Sequence, residues 1–317
     1  MSQLSRRALV AGGVLVAVLR PGPSTAQRSA TMIAPFAPGA SADSVARIVA
    51  EKLGQLSSQT IVVENRPGAG GTTGLVALSK SPPDGFTLGI GAAGAMVINP
   101  HTAEGDANFA PLTQLTPLAK LVDIPLVIVA SKSSGITSLK DMIAQSKSRP
   151  DGLSFGTNGT NSAQHLAIEQ LKKATGAKMV HVPYRGSALV INDVLGGQIP
   201  IGSCDLTSAG PHIAAGAVVA LAVTSAQRVP LAPEVPTVAE LAVPGYAVDA
   251  WLGLFGPPGL AADVTARLSD QVRGVLSDER VVARLRDIGC VPAYLASADF
   301  AAYLARESAK MRDLVKA

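Results

Sequence analysis

Apolar residues recur along this chain in two alternating patterns. One is a short unbroken run; the other is a longer stretch in which they return every three or four residues. The first predicts buried strands, the second helices with one face turned inward. Residues 32–36 predict a strand, and Val45, Ile48, Val49 and Leu53 behind them a helix. Residues 60–64 and 87–91 predict strands, and 118–130 one or two extended runs broken at Pro125. Leu139, Met142 and Ile143 mark a helix, 153–155 a short strand, and Ala163, Leu166, Ala167, Gln170 and Leu171 a helix. Strands follow at 179–183, 199–203 and 218–224, with helices over 189–195 and opening at 205–208. The proline-rich stretch 230–244 has little periodicity and predicts an extended surface excursion. Residues 246–257 predict a strand containing Trp251. Three helical patterns close the chain, around Val264, Leu268, Val272 and Leu276, around Val281, Val282 and Leu285, and around Phe300, Tyr303, Leu304, Met311 and Leu314.

Strand–loop–helix alternation implies an α/β architecture, with mostly parallel sheets covered by helices on both faces. In such sheets ligands gather at the carboxyl ends of the strands. Here those ends carry loops rich in glycine, hydroxyl and amide groups, at 38–43, 92–94, 156–162, 184–187 and 205–208. Several lead into helix starts, whose unpaired N–H groups and dipole attract anions. A charge-assisted hydrogen bond contributes about 1.5–3 kcal/mol. Roughly four would suffice for micromolar binding, which needs about −8 kcal/mol before ordering costs. A carboxylate can therefore be held with few cationic side chains. Taken singly, each loop is also ordinary turn chemistry.

The first 26 residues read differently. Ser5-Arg6-Arg7 precedes a mainly apolar stretch over 8–19, Pro21-Gly22-Pro23 breaks it, and Ser24-Thr25-Ala26 supplies small residues. That is the order of a secretory signal peptide cleaved near Ala26. The apolar part falls short of the roughly 20 residues a spanning helix needs. The arginine pair leaves general secretion and the twin-arginine route both open. Removing this leader takes away Arg6, Arg7 and Arg20 and no acid, so the formal charge falls from +4 to +1. The basic balance belongs mainly to the leader, and no nucleic-acid partner is expected. The 317 residues, 47% hydrophobic and 16% charged, suit two domains with sizeable cores and a mild surface. Cys204 and Cys290 are either one disulfide or two buried thiols; their spacing decides nothing.

Catalytic motifs are missing. No two of His101, His165, His181 and His212 lie within one helical turn, and no cysteine pair has zinc spacing, so neither metal nor cofactor is expected. Gly39-Ala40-Ser41-Ala42-Asp43 lacks the second glycine of a nucleophile elbow. In 68–74, Thr73 stands where a dinucleotide fingerprint has its third glycine. One tryptophan, four tyrosines and six phenylalanines lean away from a sugar site with stacking surfaces.

Several longer strings resemble a known family. They are Pro35-Phe36-Ala37-Pro38-Gly39 with Asp43 and Ala46-Arg47; Val63-Glu64-Asn65-Arg66-Pro67-Gly68-Ala69-Gly70-Gly71; Pro83-Asp84-Gly85; Val182-Pro183-Tyr184-Arg185-Gly186; Leu221-Ala222-Val223-Thr224-Ser225; Val235-Pro236-Thr237-Val238-Ala239-Glu240; and Trp251-Leu252-Gly253-Leu254. In this order they resemble the substrate-binding components of tripartite tricarboxylate transporters, the Bug family. The resemblance implies a two-domain periplasmic binding protein fold of type II with an interdomain cleft. It implies a periplasmic monomer that closes on a small carboxylate and delivers it to membrane permease subunits. Family topology places the crossings near 123–126 and 248–253. Residues 27–125 and 250–317 then form a discontinuous first domain, and 126–249 the second. Ala40 stands where the family commonly has a second glycine, and its methyl group narrows the backbone's freedom there. An exported enzyme acting on small organic acids, or a ligand-sensing receptor for a membrane sensor, are the alternative readings.

The candidate ligand-binding residues are Phe36, Gly39, Ala40, Ser41, Asp43, Ala92, Ala93, Thr157, Asn158, Thr160, Asn161, His165, Tyr184, Arg185 and Asp205. Tyr184 is expected to face ligand or pack between domains, and Arg185 to hold a loop or touch ligand. Asp43 and Asp205 are expected first at helix starts, with Asp205 reaching an amine or hydroxyl second. His165 is expected to pack. Arg47 and Arg66 are expected to be structural, and Trp251 to sit in the hinge or core.

Overall fold

The structure, a computed structural model, describes residues 29–102 and 109–316. The leader expected at 1–26 lies outside the described residues. In chain order the first elements are β1 (Ala30–Ala34), α1 (Ser41–Ser57), β2 (Ile61–Asn65), α2 (Thr72–Ser79), β3 (Thr87–Ala92), α3 (Pro111–Gln114) and β4 (Thr116–Ile124). Then come β5 (Leu126–Ser131), α4 (Leu139–Ser148), β6 (Leu153–Thr157), α5 (Ala163–Thr175), β7 (Met179–Pro183), α6 (Ser187–Leu195), β8 (Ile201–Asp205), α7 (Leu206–Ala214), β9 (Val218–Val223) and α8 (Val238–Leu241). The chain ends with β10 (Ala250–Gly256), α9 (Ala262–Leu276), α10 (Glu279–Asp287), β11 (Val291–Ala296) and α11 (Ser297–Lys316).

These strands form two sheets, ordered β11-β4-β10-β3-β1-β2 and β7-β6-β8-β5-β9. Each is covered on both faces. In the first, Met32, Val49, Leu53, Leu88 and Val272 pack on one side, and Ile33, Leu75, Leu78, Phe255 and Phe300 on the other. The second has Phe155, Ile128, Leu139 and Leu171 on one face and Val127, Val129, Val190 and Val194 on the other. β5 shows the period of two directly: Val127 and Val129 point one way, Ile128 and Ala130 the opposite way. Burial on both faces explains why these strands read as unbroken apolar runs.

The α/β architecture is as expected, but the sheets are mixed rather than mostly parallel. β1 pairs parallel with β2 and β3, and β6 with β7 and β8. β10 pairs antiparallel with β3 and β4, β11 with β4, and β5 with β8 and β9. Parallel neighbours need a crossover connection. β4 and β5 are joined only by Pro125, so β5 enters the second sheet without one. β10 returns from β9 to the first sheet beside β4, with Ala250 opposite Ile124.

Three local expectations are corrected. The glycine-rich stretch after β2, whose four glycines read as loop through residue 74, ends early, because α2 begins at Thr72 after Gly71 takes φ 102°, a value only glycine holds without strain. β11, read as no element, is a half-buried edge strand whose ladder shifts register after Pro292; edge strands tolerate proline. The 230–244 stretch is not wholly a surface excursion. Val229, Ala232 and Val235 are buried in the second core, and Thr237 caps the short α8 by accepting from the Glu240 amide.

Glycine packing yields a test. A Cβ added to Gly253 in β10 would strike the Phe300 ring, whereas Gly210 in α7 has nothing within 4 Å. Gly253→Ala is expected to lose about 1–3 kcal/mol in urea unfolding. Gly210→Ala should be neutral or gain up to about 1 kcal/mol. Equal effects at the two positions would contradict this packing.

Candidate ligand-binding cleft

A crevice of about 430 Å³ lies where the two sheets meet. The first sheet's side contributes 36–42, Gly70, 92–94, Ile124 and 250–252. The second contributes 158–160, 162–164, 185–189, Asp205 and Ser208. All five loops singled out in the sequence reach it.

Three helices begin in its wall without a side-chain cap: α1 after Ala40, α6 after Gly186 and α7 after Asp205. A helix leaves its first amides without internal partners. Ser41 and Ala42 at the start of α1, and Ser187 and Ala188 at the start of α6, therefore present N–H groups to the crevice from opposite sides. α5 also begins in the wall but is capped by Ser162; away from the crevice α4, α8 and α10 have Ser138, Thr237 and Asp278 as caps, and α9 has none.

The loop before α1 is braced from behind. Gly39 takes φ 82° and donates its amide to Asp43 at 2.9 Å. Asp43 also accepts from Asn65 Nδ2 at 2.8 Å and pairs with Arg47 at 2.9 Å. Burial alone would raise the Asp43 carboxyl; the bonds from Arg47, Gly39 and Asn65 outweigh it and hold the group below its ordinary value. Asp43 does not line the crevice. It shapes the turn that does, and Arg47 shares that work.

Phe36, Gly39, Ala40, Ser41, Ala92, Ala93, Asn158, Thr160, Arg185 and Asp205 line the crevice. Arg185 is exposed at the rim and is the only cation among the lining residues. Asp205 caps nothing, contrary to its first expectation. The Leu206 amide after it donates to Pro125 O at 2.9 Å. The Asp205 carboxylate instead accepts from Ser41 Oγ at 2.6 Å, across the crevice, and from Gln164 Nε2. Its own amide donates to Ser187 Oγ at 3.1 Å. Burial pushes the Asp205 carboxyl up, against the bonds from Ser41, Gln164 and Ser187.

Thr157, Asn161, His165 and Tyr184 lie off the crevice. The Tyr184 hydroxyl donates to Asp193 at 2.7 Å, and burial together with that bond raises its pKa to about 12. Asn161 donates to Thr102 Oγ1 at 3.1 Å and borders a separate hollow of about 550 Å³. Lining residues outside the candidate set include Gln164, Ala188 and Ser187, the last within the 184–187 loop but not named by itself. Their only signal is position, at the starts of α5 and α6. Trp251 is 1% exposed, packs edge-on to Phe300 and Tyr303, and also reaches the crevice. Cys204 and Cys290 are free and buried. Among the described residues, no cluster of histidine, cysteine or carboxylate could hold a metal ion, and no helix is long and apolar enough to cross a membrane.

The model of the tripartite tricarboxylate transporter family receptor matches residues 45–317. The chain belongs to this receptor family. It is 34% identical to the protein BugT of Bordetella pertussis over 265 residues, 84% of this chain and 81% of BugT. A structure from R. palustris solved with adipate is 30% identical with a TM-score of 0.84, covering 92% of this chain and 97% of that one. MatC from Rhodopseudomonas palustris with bound malate is 28% identical with a TM-score of 0.83, covering 90% and 98%.

Behind the 157–162 loop of this receptor, His165 and His181 stack with ring centroids 4.0 Å apart, against Phe155. His165 Nδ1 accepts from the Asn161 amide at 3.2 Å, and His181 Nε2 lies 2.7 Å from Thr157 Oγ1. The pair therefore supports the loop from outside the crevice. Burial first, then the neighbouring His165, bring His181 from 6.5 down to about 4; Glu169 opposes this and Lys172 adds to it. Between about pH 4 and 6.5 the unfolded chain binds a proton here that the folded chain excludes. Stability is thus expected to fall on acidification through that window. Glu169, held near 2 by its bond to His165, against burial and with help from Lys172, affects stability only as pH falls below its ordinary 4.5. Urea unfolding across the upper window should show a shallower pH slope for His181→Gln than for the wild type. Identical slopes would remove His181 as the source.

Proposed function

We propose that this chain is a periplasmic receptor that captures a small carboxylate between its two sheets and delivers it to the membrane permease of a tripartite transporter. The observation that carries this reading is the pair of uncapped helix starts, α1 and α6, facing one crevice from opposite sides. Amides of Ser41, Ala42, Ser187 and Ala188 hold the carboxylate, with the helix dipoles adding to the attraction. Phe36, Ala92, Ala93, Asn158 and Thr160 surround the body of the ligand, and Arg185 at the rim draws anions in. The adipate and malate held by two relatives of the same fold support a carboxylate as the ligand class.

Residues 27–125 with 250–317 act as one closing body and 126–249 as the other, turning about Pro125 and the segment before Ala250. The chain is exported, loses its leader near Ala26 and works as a monomer.

A ligand that binds only the folded state stabilises it by about 2.7 kcal/mol at a hundredfold excess over Kd. The mature protein should show a saturable rise in melting temperature with at least one member of a broad panel of small organic acids. Small-angle scattering should show a smaller radius of gyration with the same acid. Absence of any shift across the panel would sink the reading.

A further inference from the structure

A carboxylate in the wall of an anion-binding crevice works against the ligand. Asp205 is the only acid among the lining residues and is 6% exposed. Its carboxylate partners, Ser41 and Gln164, are neutral, and no lysine or arginine pairs with it among the described residues. Hydrogen bonds from neutral donors soften its charge without cancelling it.

Its position narrows what it can do. Ser41 is the first residue of α1 and Ser187 the first of α6. The hydroxyls of both meet Asp205, at its carboxylate and at its amide. Asp205 thus stands directly beside the amides that hold the ligand's carboxylate. A carboxylate offers about four acceptor sites, and Ser41, Gln164 and the nearby Ser187 hydroxyl occupy no more than three of them. An open lone pair therefore lies close to the carbon that bears the ligand's carboxylate. Asn158, Thr160, Ser162 and Ser208 elsewhere in the wall also offer side-chain oxygens, but all are neutral, so Asp205 is the one charged acceptor among the lining residues.

We propose that Asp205 makes the crevice selective for acids with a hydroxyl or ammonium group on the carbon next to the carboxylate, over plain acids of equal length. This rests on the carboxylate-receptor reading above. The donor group bridges ligand and Asp205; without it, two anions face each other and the lone pair stays unmet.

Titration calorimetry of the mature chain with matched pairs tests this: lactate against propionate, malate against succinate, and aspartate against succinate. In any pair that binds, the donor-bearing acid should be tighter by roughly ten- to hundredfold. In Asp205→Asn, which keeps the shape and removes the charge, the gap should close to within about threefold, mainly because the plain acid tightens. Ser41→Ala, which keeps Asp205 and removes its cross-crevice partner, should retain the preference; this variant and the wild type carry the test if Asp205→Asn does not fold. Equal affinities within the pairs overturn the proposal. So does a plain acid that binds as tightly as its partner while taking up a proton, seen as a buffer-dependent heat, because Asp205 then acts as a donor. Where none of these acids binds, the pairs are built around an acid that raises the melting temperature in the broad panel; absence of any such acid sinks the receptor reading, whereas binding without preference overturns only the role of Asp205.

Discussion

The first amides of a helix need acceptors from outside it, and the crevice is organised around that need. α1 and α6 start there without a cap, one from each sheet, and the residues that open them are small. Ser41, Ala42, Ser187 and Ala188 allow close approach to the backbone. The turn before α1 keeps its shape because Gly39 and Asn65 both donate to Asp43. An anion site made of backbone is insensitive to which side chains surround it. On the reading proposed above, the lining can then vary while the anchor stays the same.

The second organising feature is the joint between β4 and β5. A single proline separates them, so the chain passes directly from an interior strand of one sheet to an interior strand of the other. β10 lies alongside β4 at the same joint, with Ala250 facing Ile124 and Trp251 facing Asp123. The joint contributes to the mixed character of both sheets. β5 and β10, the two strands that pass between the sheets, both pair antiparallel with their neighbours, while β1 with β2 and β3, and β6 with β7 and β8, pair parallel.

Much of this was legible in the sequence. The apolar runs located ten of the eleven strands because most are buried on two faces, and glycine and hydroxyl residues marked the loops that meet at the crevice. β11 was not legible, since Pro292 and half-burial erase both strand patterns. Nor was the role of Asp205, whose partner Ser41 lies 164 residues earlier in the chain. His165 and His181 come from different elements, and only the packing of α5 over the second sheet brings their rings together. Distant polar pairs of this kind leave no periodic trace. Tyr184 misled for the same reason: its motif marks the loop, while its hydroxyl turns away to Asp193.

The two thiols are set by their packing to be unreactive. Cys204 and Cys290 are buried and unlinked, and burial, aided by the nearby Asp205, raises both pKa values, that of Cys290 to about 12. Thiolate is the species that attacks disulfides and oxidants, and at neutral pH these side chains supply almost none. In the folded chain Cys204 and Cys290 are therefore packed as inert apolar groups, one in the core of each sheet, and offer oxidants little to attack.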